Sequence, residues 1–303
     1  MATMNSTWKD LMNSRNFNKP TLLVIAGPTA VGKTQYAIQT AIACESVVIS
    51  ADSRQFYKEM KIGTAAPTEE EMEQVPHYFV GHLSVNEYYS ASRFEQDVLA
   101  LLPSLFAKSN VVIMCGGSGL YIDAVCHGID DLPDPDPQIR QFVHDCFEKE
   151  GIAALRAQLR RLDPAYYDHC NLADHKRMMR AVEVSLQMNR PYSEFLKNNR
   201  KSRDFDIVKV CLCRPRAELF NRINRRTLQM MEQGFLEEAR SLLPYRHLNA
   251  LNTVGYKELF AHLDGKLTLK QAVTDIQTHT RRYAKRQMTW FNRDNSYEMV
   301  TLS

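Results

Sequence analysis

The run TLLVIA at 21–26, followed by GPTAVGKT at 27–34 and YAIQTAIA at 36–43, decides the fold. TLLVIA is a short, continuous apolar segment, the pattern of a strand buried on both faces in a parallel sheet. The glycine-rich loop breaks it, and YAIQTAIA continues at helical spacing. Strand, glycine loop and helix together open an α/β unit. Three more apolar runs read as strands: SVVIS at 46–50, leading into Asp52; NVVIMC at 110–115, leading into Gly116-Gly117; and FDIVKVCLC at 205–213. Strands separated by helical stretches predict a parallel sheet with helices on both faces.

The chain has 303 residues, 44% hydrophobic and 24% charged, which excludes disordered, collagen-like and coiled-coil classes. That length suits two domains, or one large domain with an insertion. Its net charge of +3 carries no message as an average, so the distribution of charge matters more. Seven scattered cysteines without a CxxC spacing make no disulfide framework and fit a reducing compartment. Cys211 and Cys213, two apart in a strand-like run, are expected to share one face. No apolar run approaches the roughly 20 residues of a membrane span. Residues 1–19 lack the apolar centre of a signal peptide and read as a flexible leader of a cytoplasmic protein.

One composition break divides the chain. DDLPDPDP at 130–137 contains three prolines and suits neither a helix interior nor a central strand. Helical patterns follow, in IRQFVHDCFEKEG, IAALRAQLRRLD and HKRMMRAVEVSLQMNR. The expected organisation is a core over 20–133 and 205–303, with an all-helical insertion over 134–204. From Arg216 onward the pattern again reads as helical, punctuated by Gly234, Pro244, Gly255 and Gly265.

GPTAVGKT satisfies the G-x-x-x-x-G-K-[ST] pattern with the strand before it and the helix after it that the pattern requires. Gly27 and Gly32 let the backbone of Thr29, Ala30 and Val31 wrap a phosphate group, so that N–H donors point inward. The helix N-terminus adds favourable partial charge. Lys33 supplies a cation, and the Thr34 hydroxyl can ligate Mg²⁺. The motif predicts a P-loop NTPase-like sheet and a phosphate or diphosphate ligand. ATP is the default ligand by motif alone, with Asp52 helping to hold Mg²⁺ in that reading.

Nine segments in order extend the pattern: GPTAVGKT (27–34), ADSRQFYKEMKIGTAAPT (51–68), PHYFVGHLS (76–84), YSASRFEQD (89–97), GGSGLY (116–121), HKRMMRAVEV (175–184), RINRRTLQMMEQGFLEEA (222–239), VGYKEL (254–259) and TRRYAKRQMTWF (280–291). In these the chain resembles the tRNA dimethylallyltransferases, also called tRNA isopentenyltransferases, from residue 21 to about 293. The resemblance implies transfer of a dimethylallyl group from its diphosphate to N6 of the adenine at position 37, beside the tRNA anticodon. It implies that the loop holds an allylic diphosphate and that Asp52 acts as general base. It further implies that Ser118 hydrogen-bonds near the reacting amine, where the family usually has threonine, and that Arg222 helps bind the diphosphate, with Arg225 and Arg226 as weaker candidates. The expected partners are dimethylallyl diphosphate and the tRNA anticodon stem-loop, with Mg²⁺ as cofactor. No membrane partner is expected, and the chain is expected to act as a monomer.

Extruding an adenine from an RNA loop calls for cationic contacts to the backbone and planar surfaces for the bases. Residues 281–293 hold five basic residues, no acidic ones and three aromatics. Arg282, Lys285 and Arg286, Thr289 and Arg293 line up as one stripe at helical spacing. Tyr283, Trp290 and Phe291, taken singly, read as core. With the resemblance, Gln287 and Trp290 join Arg282, Lys285 and Arg286 as expected RNA contacts. In the insertion, Lys176, Arg177 and Arg180, with Arg140, resemble family positions on the stem-loop. Base-specific contacts are expected from Asp52, Ser53, Arg54, Gln55 and Ser118, and from Asn252, Gly255, Tyr256 and Lys257. Two positions depart from the family: Ala66 stands where lysine is common, and Lys176 where glutamine is common. The chain ends soon after the basic segment, without the zinc finger of longer eukaryotic relatives, which reads as the bacterial type. Three alternatives stay open on the residues alone: a P-loop kinase or NTPase, a free-adenylate isopentenyltransferase, and an RNA-binding module with a vestigial loop.

Overall fold

The computed structural model describes residues 17–197 and 200–302. The leader expected over 1–19 lies outside the described residues as far as residue 16, while Phe17 packs against the core of the sheet. The chain separates into two compact units. One comprises 1–89, Phe94–Cys126 and Ser202–Ser303, and the other Ser90–Arg93 and His127–Lys201.

The first unit is built on six parallel strands: β1 (Thr21–Ala26), β2 (Val48–Ser50), β3 (His77–Tyr78), β4 (Val111–Gly116), β5 (Asp206–Cys213) and β6 (Tyr297–Thr301). Their order across the sheet is β3-β2-β4-β1-β5-β6. All six residues of β1 are buried, as its unbroken apolar run requires. Leu22, Val24 and Ala26 feed the core on one face, and Leu23 and Ile25 the core on the other. Helix α1 (Lys33–Ala43) covers the second face with Tyr36, Ala37, Ile38 and Ala41. Helices α2 (Glu69–Gln74), α3 (Ala91–Phe106) and α4 (Gly119–His127) follow. Phe94, Val98, Leu102 and Leu105 of α3, with Ile122 and Val125 of α4, fill the first face. Losing one such buried Leu to Ala costs about 2–5 kcal/mol.

β3 and β6 were not expected. β3 is only two residues long, and β6 corrects the reading of everything after Arg216 as helical. Only Tyr297 and Val300 of β6 are buried, because it forms the sheet edge against β5, so its apolar signal is faint. The sheet places the site. Because every pairing is parallel, β1, β2, β4 and β5 deliver their carboxyl ends to one edge, with Ala26 level with Gly116 and with Cys211, and Ser50 level with Cys115. Ligands of open α/β sheets gather at such an edge.

The second unit begins at His127 and ends at Lys201, against the expected 134–204. It contains α5 (Pro137–Leu162), bent at Gly151 where φ is +75°, then α6 (Pro164–His169) and α7 (His175–Met188). Asp136 caps α5 through the N–H groups of Gln138 and Ile139, with Pro137 in the first turn, where its missing N–H costs nothing. Val143, Leu155, Leu159, Met178, Ala181 and Val182 form its own small core. The remaining helices, all in the first unit, are α8 (Arg216–Glu232), α9 (Phe235–Ser241), α10 (Tyr256–Leu263) and α11 (Leu269–Phe291). No described helix is long and apolar enough to cross a membrane.

Candidate active site

At the carboxyl edge of the sheet lies a cleft of about 280 Å³. The phosphate loop forms one wall. Gly27 (φ +147°) and Gly32 (φ +113°) take backbone conformations that side chains resist, and a Cβ on Gly27 would sit 2.6 Å from the Leu212 carbonyl oxygen. Gly32 caps α1, so the helix amides face the cleft. Cations hold the loop carbonyls and the Thr29 hydroxyl. Lys33 Nζ donates to the Pro28 carbonyl at 2.8 Å, Arg222 Nε to Ala30 at 2.8 Å, and Arg214 Nε to Val31 at 2.9 Å. Arg226 donates to the Thr29 hydroxyl. These cations engage the loop carbonyls, while the Thr29 N–H, expected to face a phosphate, donates to Gln287 and the Val31 N–H to the Pro28 carbonyl.

The cleft is lined by four cations, Lys33, Arg222, Arg225 and Arg226, against two carboxylates, Asp52 and Glu71. Glu71 is engaged in capping α2 through the Thr68 N–H, so the balance favours an anion. Burial lowers the pKa of Lys33, opposed by Cys115 and Asp52 and helped by Arg226. Burial also brings Arg226 down to about 10, with Asp52 opposing. Cys115 is pushed up to about 12 by burial, so its thiol stays neutral and unreactive beside the loop.

Asp52 lines the opposite wall, two residues beyond β2, and its carboxylate accepts the N–H of Arg54 at 3.0 Å. The Ser118 hydroxyl accepts the N–H of Ser53 at 2.9 Å and donates to the Ser53 hydroxyl at 3.2 Å. Gly116 allows this approach, since a Cβ there would lie 2.2 Å from the Ala51 carbonyl oxygen. The structure thus brings Asp52, Ser118, Lys33, Thr34 and Arg222 to one edge. Gln55 also lines the cleft, but its amide accepts from Ser50 and donates to the carbonyls of Thr64 and Ala65, so it organises the 62–66 turn.

Several residues expected at an RNA surface lie inside. Gln287 is buried: its Oε1 accepts the Thr29 N–H and its Nε2 donates to the Gly117 carbonyl, both at 2.9 Å. Tyr256 is fully buried, with its hydroxyl on Glu238 at 2.7 Å, and the N–H of buried Gly255 is held by Glu258. Trp290 donates to Asp123 at 2.9 Å and packs where Gly119 has no side chain. The aromatic rings of Tyr256 and Trp290 draw them inward, and their polar atoms, like those of Gln287, find partners there. Arg282, Lys285, Arg286 and Thr289 are exposed along α11, Arg293 is exposed two residues past its end, and Asn252 and Lys257 are exposed near the start of α10. Arg54 donates to the Asn249 carbonyl at 2.9 Å.

In the helical unit, Lys176 and Arg177 are exposed, and Arg177 lies 3.4 Å from Asp174. Arg140 and Arg180 converge on buried Glu183, at 3.7 and 3.5 Å. Both therefore share in neutralising a buried carboxylate inside this unit.

A family profile described as IPP transferase matches residues 55–294. The chain belongs to that family. It is 52% identical over 273 residues to tRNA dimethylallyltransferase 2 of Parabacteroides distasonis, covering 90% of this chain and 91% of that one. It is 49% identical over 275 residues to tRNA dimethylallyltransferase 1 of Bacteroides thetaiotaomicron, covering 91% and 89%. Among solved structures it resembles the full-length tRNA isopentenylpyrophosphate transferase of Bacillus halodurans, with a TM-score of 0.68, 32% identity, and 93% and 90% of the chains covered. It also resembles a eukaryotic dimethylallyltransferase acting on tRNA, with a TM-score of 0.78 and 25% identity over 93% of this chain and 74% of that one. The expected family, its bacterial type and the P-loop-like parallel sheet agree with these IPP transferases.

Sequence reasoning overlooked Arg214, which grips the loop from the end of β5, and read Tyr283 as core. Tyr283 sits beside Asp52 and Ser118, and burial, then Asp52, raise its pKa. A signal was available: Tyr283, Gln287 and Trp290 recur at the spacing of one helix face.

Proposed function

We propose that the chain transfers a dimethylallyl group from dimethylallyl diphosphate to N6 of adenine-37 of tRNA, releasing diphosphate. The observation that carries this reading is the meeting of Asp52 with the phosphate loop across one small cationic cleft. A P-loop alone suits many phosphate ligands, and an acceptor carboxylate facing it suits attack by a nucleophile that must lose a proton. The cleft of about 280 Å³ lies just below the ~300–1,000 Å³ usual for small ligands, which suits a small diphosphate.

In the proposed step, the N6 lone pair forms a bond to the allylic carbon while the bond from that carbon to the diphosphate oxygen breaks. The diphosphate leaves with the electron pair, and the amine proton passes to Asp52. The loop amides, Lys33 and the arginines stand where negative charge accumulates on the leaving group, so their interaction strengthens toward the transition state. The Asp52 carboxylate accepts the proton of a weakly nucleophilic amine, a contribution of about 10²–10⁴-fold. Ser118, fixed to Ser53, orients the amine. The hydroxyl of Thr34 lines the same cleft and fits Mg²⁺, which typically takes one or two protein oxygens beside phosphate oxygens. When bound there, Mg²⁺ would offset diphosphate charge.

The exposed cationic stripe on α11 supports contact with the RNA backbone. A tRNA acceptor supports work in the cytoplasm. The test supplies labelled dimethylallyl diphosphate with tRNA, with AMP or with no acceptor, and follows ATP hydrolysis in parallel. Label in tRNA alone is expected. Label in AMP, or ATP turnover without prenyl transfer, overturns the reading.

A further inference from the structure

Helix α11 has two faces with different work. Arg282, Lys285 and Arg286 face solvent, while Gln287 is buried one turn away. The Gln287 amide accepts from Thr29 in the phosphate loop and donates to Gly117, the residue before Ser118. A Cβ on Gly117 would lie 2.2 Å from Gln287 Nε2, so the amide occupies the space a side chain would fill. One side chain therefore spans the loop that faces the leaving group and the loop that is tied, through Ser118 and Ser53, to Asp52.

We propose that Gln287 is a positioning residue that sets the distance between the diphosphate-holding loop and the proton-accepting loop, an inference that rests on the function proposed above. Attack requires reacting atoms about 3–3.5 Å apart, and a displacement of about 1 Å costs about 10²-fold. Without the amide, a part-buried N–H and a buried carbonyl lose their partners, and the two loops are no longer held in register. Lys33 and the arginines around the diphosphate keep their own bonds to the loop, so the loss falls on turnover and not on diphosphate affinity.

The polarity at Gln287 is specific: Thr29 needs an acceptor and Gly117 needs a donor. A glutamate at this position satisfies Thr29 but turns a second acceptor toward the Gly117 carbonyl. Protonation restores a donor, and burial raises the pKa at which that happens. The test compares the full-length wild type, Gln287→Met and Gln287→Glu in single-turnover transfer to tRNA at saturating dimethylallyl diphosphate, together with the affinity for inorganic pyrophosphate. Gln287→Met is expected to transfer about 100-fold more slowly, with pyrophosphate affinity within about threefold of wild type. The rate of Gln287→Glu relative to wild type is expected to rise at least about tenfold from about pH 8 to about pH 6. If Gln287→Met does not fold, the pH profile of Gln287→Glu decides alone. A flat ratio, a wild-type rate in Gln287→Met, or equal losses of affinity and turnover overturn the inference. A wild type that transfers nothing overturns the proposed function instead, and that result is read from the wild-type arm by itself.

Discussion

Ser118 and Ser53 are joined twice, the Ser118 hydroxyl accepting the Ser53 N–H at 2.9 Å and donating to the Ser53 hydroxyl at 3.2 Å. The pair locks the glycine loop after β4 onto the residue that follows Asp52. Ser118→Ala leaves a part-buried N–H without its acceptor, a cost of about 1–3 kcal/mol. Transfer is expected to fall about tenfold or more, with Ser118→Thr restoring most of it because the hydroxyl returns. Steady-state rates on tRNA check this, and a fully active Ser118→Ala contradicts it.

Asp52→Asn retains the shape and hydrogen-bonding reach of the side chain but cannot accept a proton. Transfer is expected to drop about 10²–10⁴-fold, while tRNA and pyrophosphate affinities stay within a few-fold of wild type. Filter binding and single-turnover rates separate the two effects.

Lys33 predicts a proton signature. Burial holds its pKa below the ordinary lysine value. A bound diphosphate favours the ammonium and raises that pKa, so binding takes up protons, and affinity falls as pH rises. Calorimetry of pyrophosphate binding in two buffers of different ionisation enthalpy at about pH 9 should show more uptake in wild type than in Lys33→Ala. No uptake in wild type contradicts the assignment.

The phosphate loop and Asp52 were legible in the sequence because both belong to short local patterns at strand ends, where the chemistry and the spacing coincide. The brackets around them were not. Arg214, Arg222 and Gln287 reach backbone atoms of residues 29–31 across 183 to 258 positions of chain, and no local pattern encodes such a bond. Gln287, Tyr256 and Trp290 were read as RNA contacts, whereas the fold turns them inward and engages their polar atoms there. The edge strand Tyr297–Thr301 escaped notice because only two of its residues are buried.

Lys285 and Arg286 are exposed on α11 and close no ion pair with a carboxylate among the described residues. Replacing both with Ala is expected to weaken tRNA binding and reduce the slope of log affinity against log salt by about 1.5. Pyrophosphate affinity and thermal stability should stay near wild type, since neither side chain is buried. Titrations at several salt concentrations measure the slope, and an unchanged slope removes the stripe from RNA binding.

The central claim is that a cleft built around a phosphate loop hands an allylic group to an adenine of tRNA. Mass spectrometry of nucleosides from tRNA incubated with the enzyme and dimethylallyl diphosphate tests it most directly. The expected product is adenosine carrying one dimethylallyl group on N6, recovered from position 37 only when Asp52 is intact. Unmodified tRNA, or prenylation that survives in Asp52→Ala at the wild-type rate, would contradict it.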